Sequence, residues 1–227
     1  SDNLNWNARL SWWTNSALVT ELSIPSYTTG GFADFLGNYR IKEGHSPTEI
    51  IGVIDNPDLR DEDDLYVYGD AEPDWQMSWF NGLSFGDLEI NWLLHWKQGG
   101  ENINLSALLF DLNETTHDYD DTDLDPSGQL NNGDYRLSLL GTSKAPYIQD
   151  AGYIRLREIG AYYKLPVTLG DSGTLTLGVS GTNLINIFEY DSYDPEVSNF
   201  GSGGLSTGVE VTPFPSSKRV NFHIKAN

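Results

Sequence analysis

By type and spacing, the residues best suited to chemistry lie in the acidic run Asp118-Tyr119-Asp120-Asp121-Thr122-Asp123-Leu124-Asp125-Pro126-Ser127-Gly128. Asp121, Asp123 and Asp125 occupy positions 1, 3 and 5 of a calcium-loop pattern, in which alternate carboxylates converge on one cation. The pattern then breaks, because Pro126 stands at position 6, where the turn needs Gly, and Asn132 at position 12, where a bidentate Glu belongs. Calcium in the acidic loops is therefore not expected, no other cofactor is implied, and the run reads as a solvated loop. Asp61-Glu62-Asp63-Asp64 reads as solvated or as lining a polar interior. His45, His95, His117 and His223 fall in separate segments without metal-ligand spacing. Carboxylates abound, yet nothing singles out the pair that glycoside hydrolysis requires, and no Gly-x-Ser-x-Gly elbow or phosphate-binding loop occurs, so no enzyme is expected. The stretch 201–208 is rich in Gly and Ser and reads as a flexible loop.

Composition narrows the class further. The 227 residues include 33 acidic and 13 basic side chains, a formal charge of −20 that repels nucleic-acid phosphates and excludes that partner. The absence of cysteine excludes disulfides, thiolate metal sites and a Cys nucleophile. Gly 23, Trp 7, Tyr 12 and Phe 9 favour many short strands joined by turns. No apolar run is long enough for a transmembrane helix, which leaves open a membrane barrel, whose strands carry a weaker signal.

The clearest strand is 88–96, where Leu88, Ile90, Trp92, Leu94 and Trp96 share one face. It follows a strand over 75–85 through Gly86-Asp87 alone, a tight hairpin signal. Strands are also expected over 4–13, 153–165 (ending at Pro166), 174–180 and 220–227. The last alternates with Val220, Phe222, Ile224 and Ala226 outward and Asn221, His223 and Lys225 inward, stopping one step before an expected aromatic at 228. The connections at 86–87 and 170–173 are short, whereas 98–150 and 189–217 read as long loops without secondary structure. Short turns at one end and long loops at the other are the pattern of an outer-membrane barrel. The segment 17–56 mixes short apolar pieces with Gly and Pro, and about seven spanning strands are expected in all. The strand aromatics admit two readings, a lipid-facing wall or the core of a soluble sandwich. Tyr119, Tyr190 and Tyr193, among Asp118, Asp120 and other polar loop residues, could stack on a ligand or simply pack within their loops.

Four segments in order carry a resemblance. Gly69-Asp70-Ala71-Glu72-Pro73-Asp74-Trp75 resembles a Gly-x-x-x-Pro-Asp segment of the SusC/RagA-type TonB-dependent transporters. Tyr153-Ile154-Arg155-Leu156-Arg157-Glu158-Ile159 through Tyr163-Lys164-Leu165-Pro166 resembles one of that family's strands, Gly181-Thr182-Asn183-Leu184 its Gly-x-Asn-Leu, and Tyr190 with Asp194-Pro195-Glu196 its Tyr…Asp-Pro-Glu. Pro213-Phe214-Pro215-Ser216-Ser217-Lys218-Arg219 fits the approach to the last strand. A preceding Asp-rich stretch, 55–61, lacks the Gly of the family's ligand-loop turn.

The resemblance implies an all-β fold: an antiparallel transmembrane β-barrel segment, about seven strands of a roughly 22-stranded barrel, with long extracellular loops. Residues 1–227 would be the C-terminal part, with plug domain and remaining strands outside this sequence. It implies TonB-dependent import of oligosaccharides or peptides across the outer membrane of a Gram-negative, Bacteroidota-type bacterium. The partners implied are a SusD-like surface lipoprotein, TonB through the plug, membrane lipid and a glycan or peptide ligand. Leu88, Ile90, Trp92, Leu94, Trp96, Val220, Phe222 and Ile224 would face lipid, and Asp118, Tyr119, Asp120, Tyr190 and Tyr193 would be available to ligand or partner. The alternatives are a SusC-like barrel with a purely structural role and a soluble carbohydrate-binding β-sandwich.

Overall fold

The computed structural model describes residues 4–29, 38–169, 173–198 and 208–226. In chain order the elements are β1 (Leu4–Trp13), β2 (Tyr27–Thr29), β3 (Asn38–Ile41), β4 (Glu49–Gly52), β5 (Tyr66–Asp70), β6 (Trp75–Phe85), β7 (Leu88–Gln98), β8 (Glu101–Asn104), α1 (Leu105–Leu112), α2 (Asn132–Ser138), β9 (Ile148–Asp150), β10 (Tyr153–Leu169), β11 (Gly173–Ile187), β12 (Val209–Glu210) and β13 (Arg219–Ala226). Six long strands form one antiparallel sheet in the order β1-β6-β7-β10-β11-β13. The sheet is not closed among the described residues. Six strands stand where about seven were expected, because the apolar pieces of 17–56 enter a separate small sheet, β2-β3-β4-β5.

The register places every large outward side chain on one face. Trp12, Met77, Trp96 and Ile154 lie in line across four strands, as do Leu10, Trp79, Leu94 and Leu156. Val179 pairs with Phe222 and Leu177 with Ile224 on the same face. No layer covers this face among the described residues: Phe222 is 84% exposed and Ile224 79%. One polar side chain, Asn81, sits in it fully buried and accepts a hydrogen bond from the Trp6 indole at 3.1 Å. The opposite face is polar, with Asn91, His95, Arg155, Ser180 and His223 among its residues.

Turns and bulges hold this register. Gly86 takes φ +57 in the two-residue β6–β7 turn, a conformation that carries no steric penalty for glycine. Between Leu156 and Glu158 the register with β7 slips by one residue, so Glu158 pairs with inward Leu93 while Ile159 still pairs with outward Trp92. Without that bulge Glu158 would point to the apolar face. β10 does not end at Pro166 as expected. It continues to Leu169, because Pro166 lies where the β11 register is already interrupted, between Lys164 and Thr168, and β7 pairing has ended at Tyr163, so no ladder needs its missing N–H. β11 likewise extends past Ser180 to Ile187. Its Asn183 takes φ +53, which Asn tolerates better than other side chains. The expected turn at 170–173, the 201–207 part of the Gly-rich stretch and Asn227 lie outside the described residues, apart from Gly173 in β11.

The long connections are not structureless. The described parts of segments 14–74, 99–152 and 188–218 lie at the same end of the sheet and fold together as a cap containing both helices and two small sheets, one of them β12-β8-β9 with a parallel β12–β8 pair. Tyr39, Ile50, Ile103, Leu105, Ala107, Leu108, Tyr147 and Val209 form its buried core, drawn from all three segments. Neither helix is long and apolar enough to cross a membrane.

On the polar face the Tyr162 ring lies over Gly178, where an added methyl would fall 2.3 Å from ring atom Cδ1. Gly178→Ala is expected to destabilise the folded sheet by about 1–3 kcal/mol through overpacking. The control is Gly82→Ala, whose methyl meets the nearest atom at 3.6 Å, and the unfolding midpoint in urea should fall for the first substitution only.

Candidate functional site

The cap is joined to the sheet by charge pairs that link two segments far apart in sequence. On β10, Arg155 and Arg157 lie two residues apart and so project from the same face. Asp194 and Glu196 have the same spacing in the loop after β11. Arg155, fully buried, donates Nη1 to Asp194 Oδ2 at 3.0 Å and Nη2 to Asp194 Oδ1, a bidentate pair. Ser216, just before β13, donates to the same carboxylate at 2.5 Å. Arg157 donates to both oxygens of Glu196, 2.6 Å from Nη1 to Oε2, and its Nη2 also donates to His95 Nδ1 at 2.7 Å. The Tyr153 hydroxyl donates to Glu196 at 3.0 Å, and Arg155 lies 4.6 Å from the centre of the Tyr153 ring. His95, expected on the polar face, is thus clamped between Arg157, Tyr153 and a stacked Trp13 at 5.8 Å. His223, expected there too, bonds Ser180 at 2.8 Å.

Burial alone would raise the Asp194 carboxyl, but the hydrogen bonds from Arg155, Ser216 and the Glu196 N–H outweigh it and hold it below the usual carboxylate range. Glu196 is lowered in the same way, with Arg157 as the chief counterweight to burial.

A second junction is built by 69–75. Glu72 accepts hydrogen bonds from the Asn15 amide and, at 2.9 Å, the Ala17 N–H, while the Asp74 carbonyl accepts from Thr14 at 2.8 Å. The Asp70 N–H donates to Glu101 at 2.8 Å, and a side chain at Gly69 would collide with that carboxylate, its Cβ falling 2.6 Å from Cδ. Residues 14–17 are thereby held along this segment.

The acidic runs are engaged rather than freely solvated. Arg40, nearly fully buried, pairs with Glu49 at 2.5 Å and with Asp61 and Asp63, and Lys42 reaches Glu62 and Asp63 at 2.6 and 2.7 Å. Burial would raise Asp61, but Arg40 pulls it below the usual range. Arg136 of α2 pairs with buried Asp111 at 2.6 Å and with Asp118 at 2.8 Å, and Tyr147 also donates to Asp111 at 3.0 Å. Asp125 accepts from the N–H groups of Ser127, Gln129 and Leu130, and Asp123 accepts from Asn132 at 2.8 Å, so the run closes on itself. No group of three or more metal-capable side chains is gathered among the described residues.

The five expected loop contacts separate. Asp118 lines a cavity of about 390 Å³ between the helices, with Ala107, Leu124, Tyr135, Arg136, Gln149 and Asp191. Asp120 is exposed, and Tyr193 is exposed with its ring edge-on to Phe110 at 6.0 Å. The Tyr119 hydroxyl is committed to Asp134 at 2.9 Å and its ring packs over Gly133. Tyr190 is 4% exposed and belongs to the interior of the cap, so its ring is not available to a ligand. The eight residues expected to face lipid all lie on the uncovered face, Leu88, Ile90, Trp92 and Leu94 half-buried by neighbours and Trp96, Val220, Phe222 and Ile224 exposed. The junction residues Arg155, Arg157, Asp194 and Glu196 stood in the motifs but were not read as partners. Their signal was the matched spacing of two cations and two anions.

Two outcomes follow from the junction. Asp194→Ala would leave the Arg155 guanidinium buried without its bidentate partner, and is expected to cost about 3–5 kcal/mol and to open 188–198 to limited proteolysis. Because Asp194 and Glu196 titrate below their ordinary values of 3.8 and 4.5, their contribution is complete above those values and is lost only as pH falls through the lower, folded ones. Proteolytic nicking of this loop should stay constant from about pH 7 to 5 and rise only below about pH 4.

No protein-family model matches the chain. It is similar to TonB-dependent receptor P26 of Formosa agariphila, 28% identical over 231 residues, covering 91% of this chain and 23% of that protein. It is also similar to TonB-dependent receptor P3 of the same organism, 29% identical over 163 residues, 67% of this chain and 16% of that protein. The chain thus spans about a quarter or less of the length of these relatives. Among solved structures, the RagAB peptide importer in its closed-closed state superposes on all of this chain with a TM-score of 0.64 at 14% identity, using 27% of that chain. Another structure of the RagAB peptide transporter does so at 0.64 and 16%. At such identities the superposition shows the fold, here a stretch of barrel wall with its loops. Sequence and fold agree with the motifs: the chain is similar to a stretch of the TonB-dependent receptors of the SusC/RagA type.

Proposed function

We propose that this chain is the C-terminal wall and extracellular cap of an outer-membrane importer energised through TonB. The observation that carries the reading is the uncovered face: six strands in register present Trp, Leu, Ile, Val and Phe outward, while the buried apolar core lies in the cap. A soluble sandwich would bury that face under a second sheet. In a bilayer the same face meets hydrocarbon, and the backbone pairs strand to strand as hydrocarbon demands. The two edges of the sheet, β1 and β13, would pair with the strands of the remaining barrel.

In this reading 86–87 lies on the periplasmic side and the cap faces the medium. The wall supplies enclosure and the cap supplies contacts to cargo and to a SusD-like lipoprotein, while gating belongs to a plug formed elsewhere in the protein. The substrate class is oligosaccharide or peptide, and the likeness to the RagAB peptide importer favours peptide. No enzymatic role is assigned, and Asp194 and Glu196 are committed to Arg155 and Arg157.

The test is a charge placed on each face of the intact receptor. Val179→Arg, near the middle of β11, should cost about 2–4 kcal/mol at the bilayer midplane and deplete folded receptor from the outer-membrane fraction. Asn221→Lys, on the polar face, should leave assembly and uptake unchanged. A water-soluble, folded monomer of residues 1–227 without detergent would overturn the reading.

A further inference from the structure

The cavity between α1, α2 and the β9 region has a lining of two kinds. One wall is apolar and aromatic, with Ala107, Leu124, Ala145, Pro146 and the Tyr135 ring. The remainder is polar, with Thr116, His117, Asp118, Arg136, Gln149 and Asp191. At about 390 Å³ it stands at the small end of sites that hold organic ligands, with room for a side chain and its neighbours rather than for an oligomer.

The charges decide which side chain fits. Arg136 is the one guanidinium in the lining, and it is spent: Nε and Nη2 donate to Asp111 at 2.7 and 2.6 Å, while Nη1 and Nη2 donate to Asp118 at 2.8 and 3.0 Å. Asp118 in turn also accepts from Asn132 at 3.3 Å. Asp191 differs, because its exposed carboxylate accepts one side-chain hydrogen bond, from Gln149 Nε2 at 3.3 Å on Oδ2. Two lining carboxylates, Asp118 and Asp191, thus stand with one guanidinium that buried Asp111 also engages and with the His117 imidazole, in a chain of formal charge −20. An anion entering here finds the one guanidinium already engaged by two carboxylates, and a repulsive field. A cation on an alkyl stem finds Asp191 for its charge and the Leu124, Pro146 and Tyr135 wall for its methylenes.

We propose that this cavity binds a basic side chain, lysine or arginine, of a peptide cargo. The proposal rests on the importer reading and refines it, setting a preference for cationic segments at the entrance. Asp191 supplies the charge selection, and the apolar wall supplies contact along the stem.

The experiment is calorimetric titration of the purified full-length receptor with three blocked tripeptides, Gly-Lys-Gly, Gly-Gln-Gly and Gly-Glu-Gly, and with maltose. The lysine peptide is expected to bind at least tenfold more tightly than the glutamate peptide, and to weaken as salt rises. Asp191→Asn should weaken the lysine peptide about fivefold and leave the glutamine peptide unchanged, as loss of one solvent-reachable ion pair implies. Asn at 191 keeps an oxygen for Gln149, so an unchanged melting temperature establishes that the variant is folded. Equal affinity for the three peptides, tighter binding of maltose, no binding, or a lysine affinity that Asp191→Asn does not alter would each overturn the proposal. Failure of the importer reading would register separately, as assembly and uptake that ignore the charge on the outward face.

Discussion

One face of a six-stranded sheet must be kept from water, and no other part of the described chain covers it. Every feature of the strands serves that constraint. The side-chain period of two holds only while the register holds, so the two-residue turn at Gly86 and the bulge at Arg157 are as necessary as the apolar residues themselves. The bulge shows this at a single position: it turns Glu158 inward and returns Ile159 to the outer row. Asn81, the polar residue in that row, is covered and bonded by Trp6.

The cap obeys the opposite rule. Its connections carry many backbone polar groups and could not persist as bare loops, so they fold as a small soluble domain does, around Tyr39, Ile50, Ile103, Leu105 and Val209. The two regimes meet at the arginine–carboxylate junctions. Buried ion pairs add little net stability against apolar replacements, but breaking one is costly, so they specify where the cap sits. Their demand on cations also shapes the surface. Arg40, Lys42, Arg60, Arg136, Arg155 and Arg157 are all paired within the fold, out of 13 basic residues in all, which leaves the excess of acid to face outward. A cavity in the cap that prefers cations is in keeping with that surplus.

The family-like segments acquire a physical meaning in this arrangement. Arg155 and Arg157 in one segment hold Asp194 and Glu196 in another, and Gly69 with Glu72 and Asp74 joins 14–17 to the start of β8. Asn183 takes a left-handed conformation where β11 is irregular. Arg155, Arg157, Asp194, Glu196, Gly69, Glu72 and Asp74 are thus joints between the sheet and the cap.

Local pattern alone determined the existence of the six long strands and most of their faces. The alternation over 4–13, 75–85 and 88–96, the Gly-Asp turn and the outward row of Val220, Phe222 and Ile224 could be read directly, because strand periodicity and tight turns are short-range properties. What the chain could not disclose locally was which distant residues meet. The acidic runs read as solvated, Tyr190 read as available and 98–150 read as structureless, since nothing nearby in sequence shows that Arg136 closes on Asp111 and Asp118, that Arg40 gathers 61–63, or that Tyr190 is covered. Pro166 read as a strand end because its missing N–H matters only if a neighbour would have used it, and only the assembled sheet shows that none does there. Alternation belongs to a strand, but burial and charge pairing belong to the contacts between segments, and those the tertiary structure alone decided.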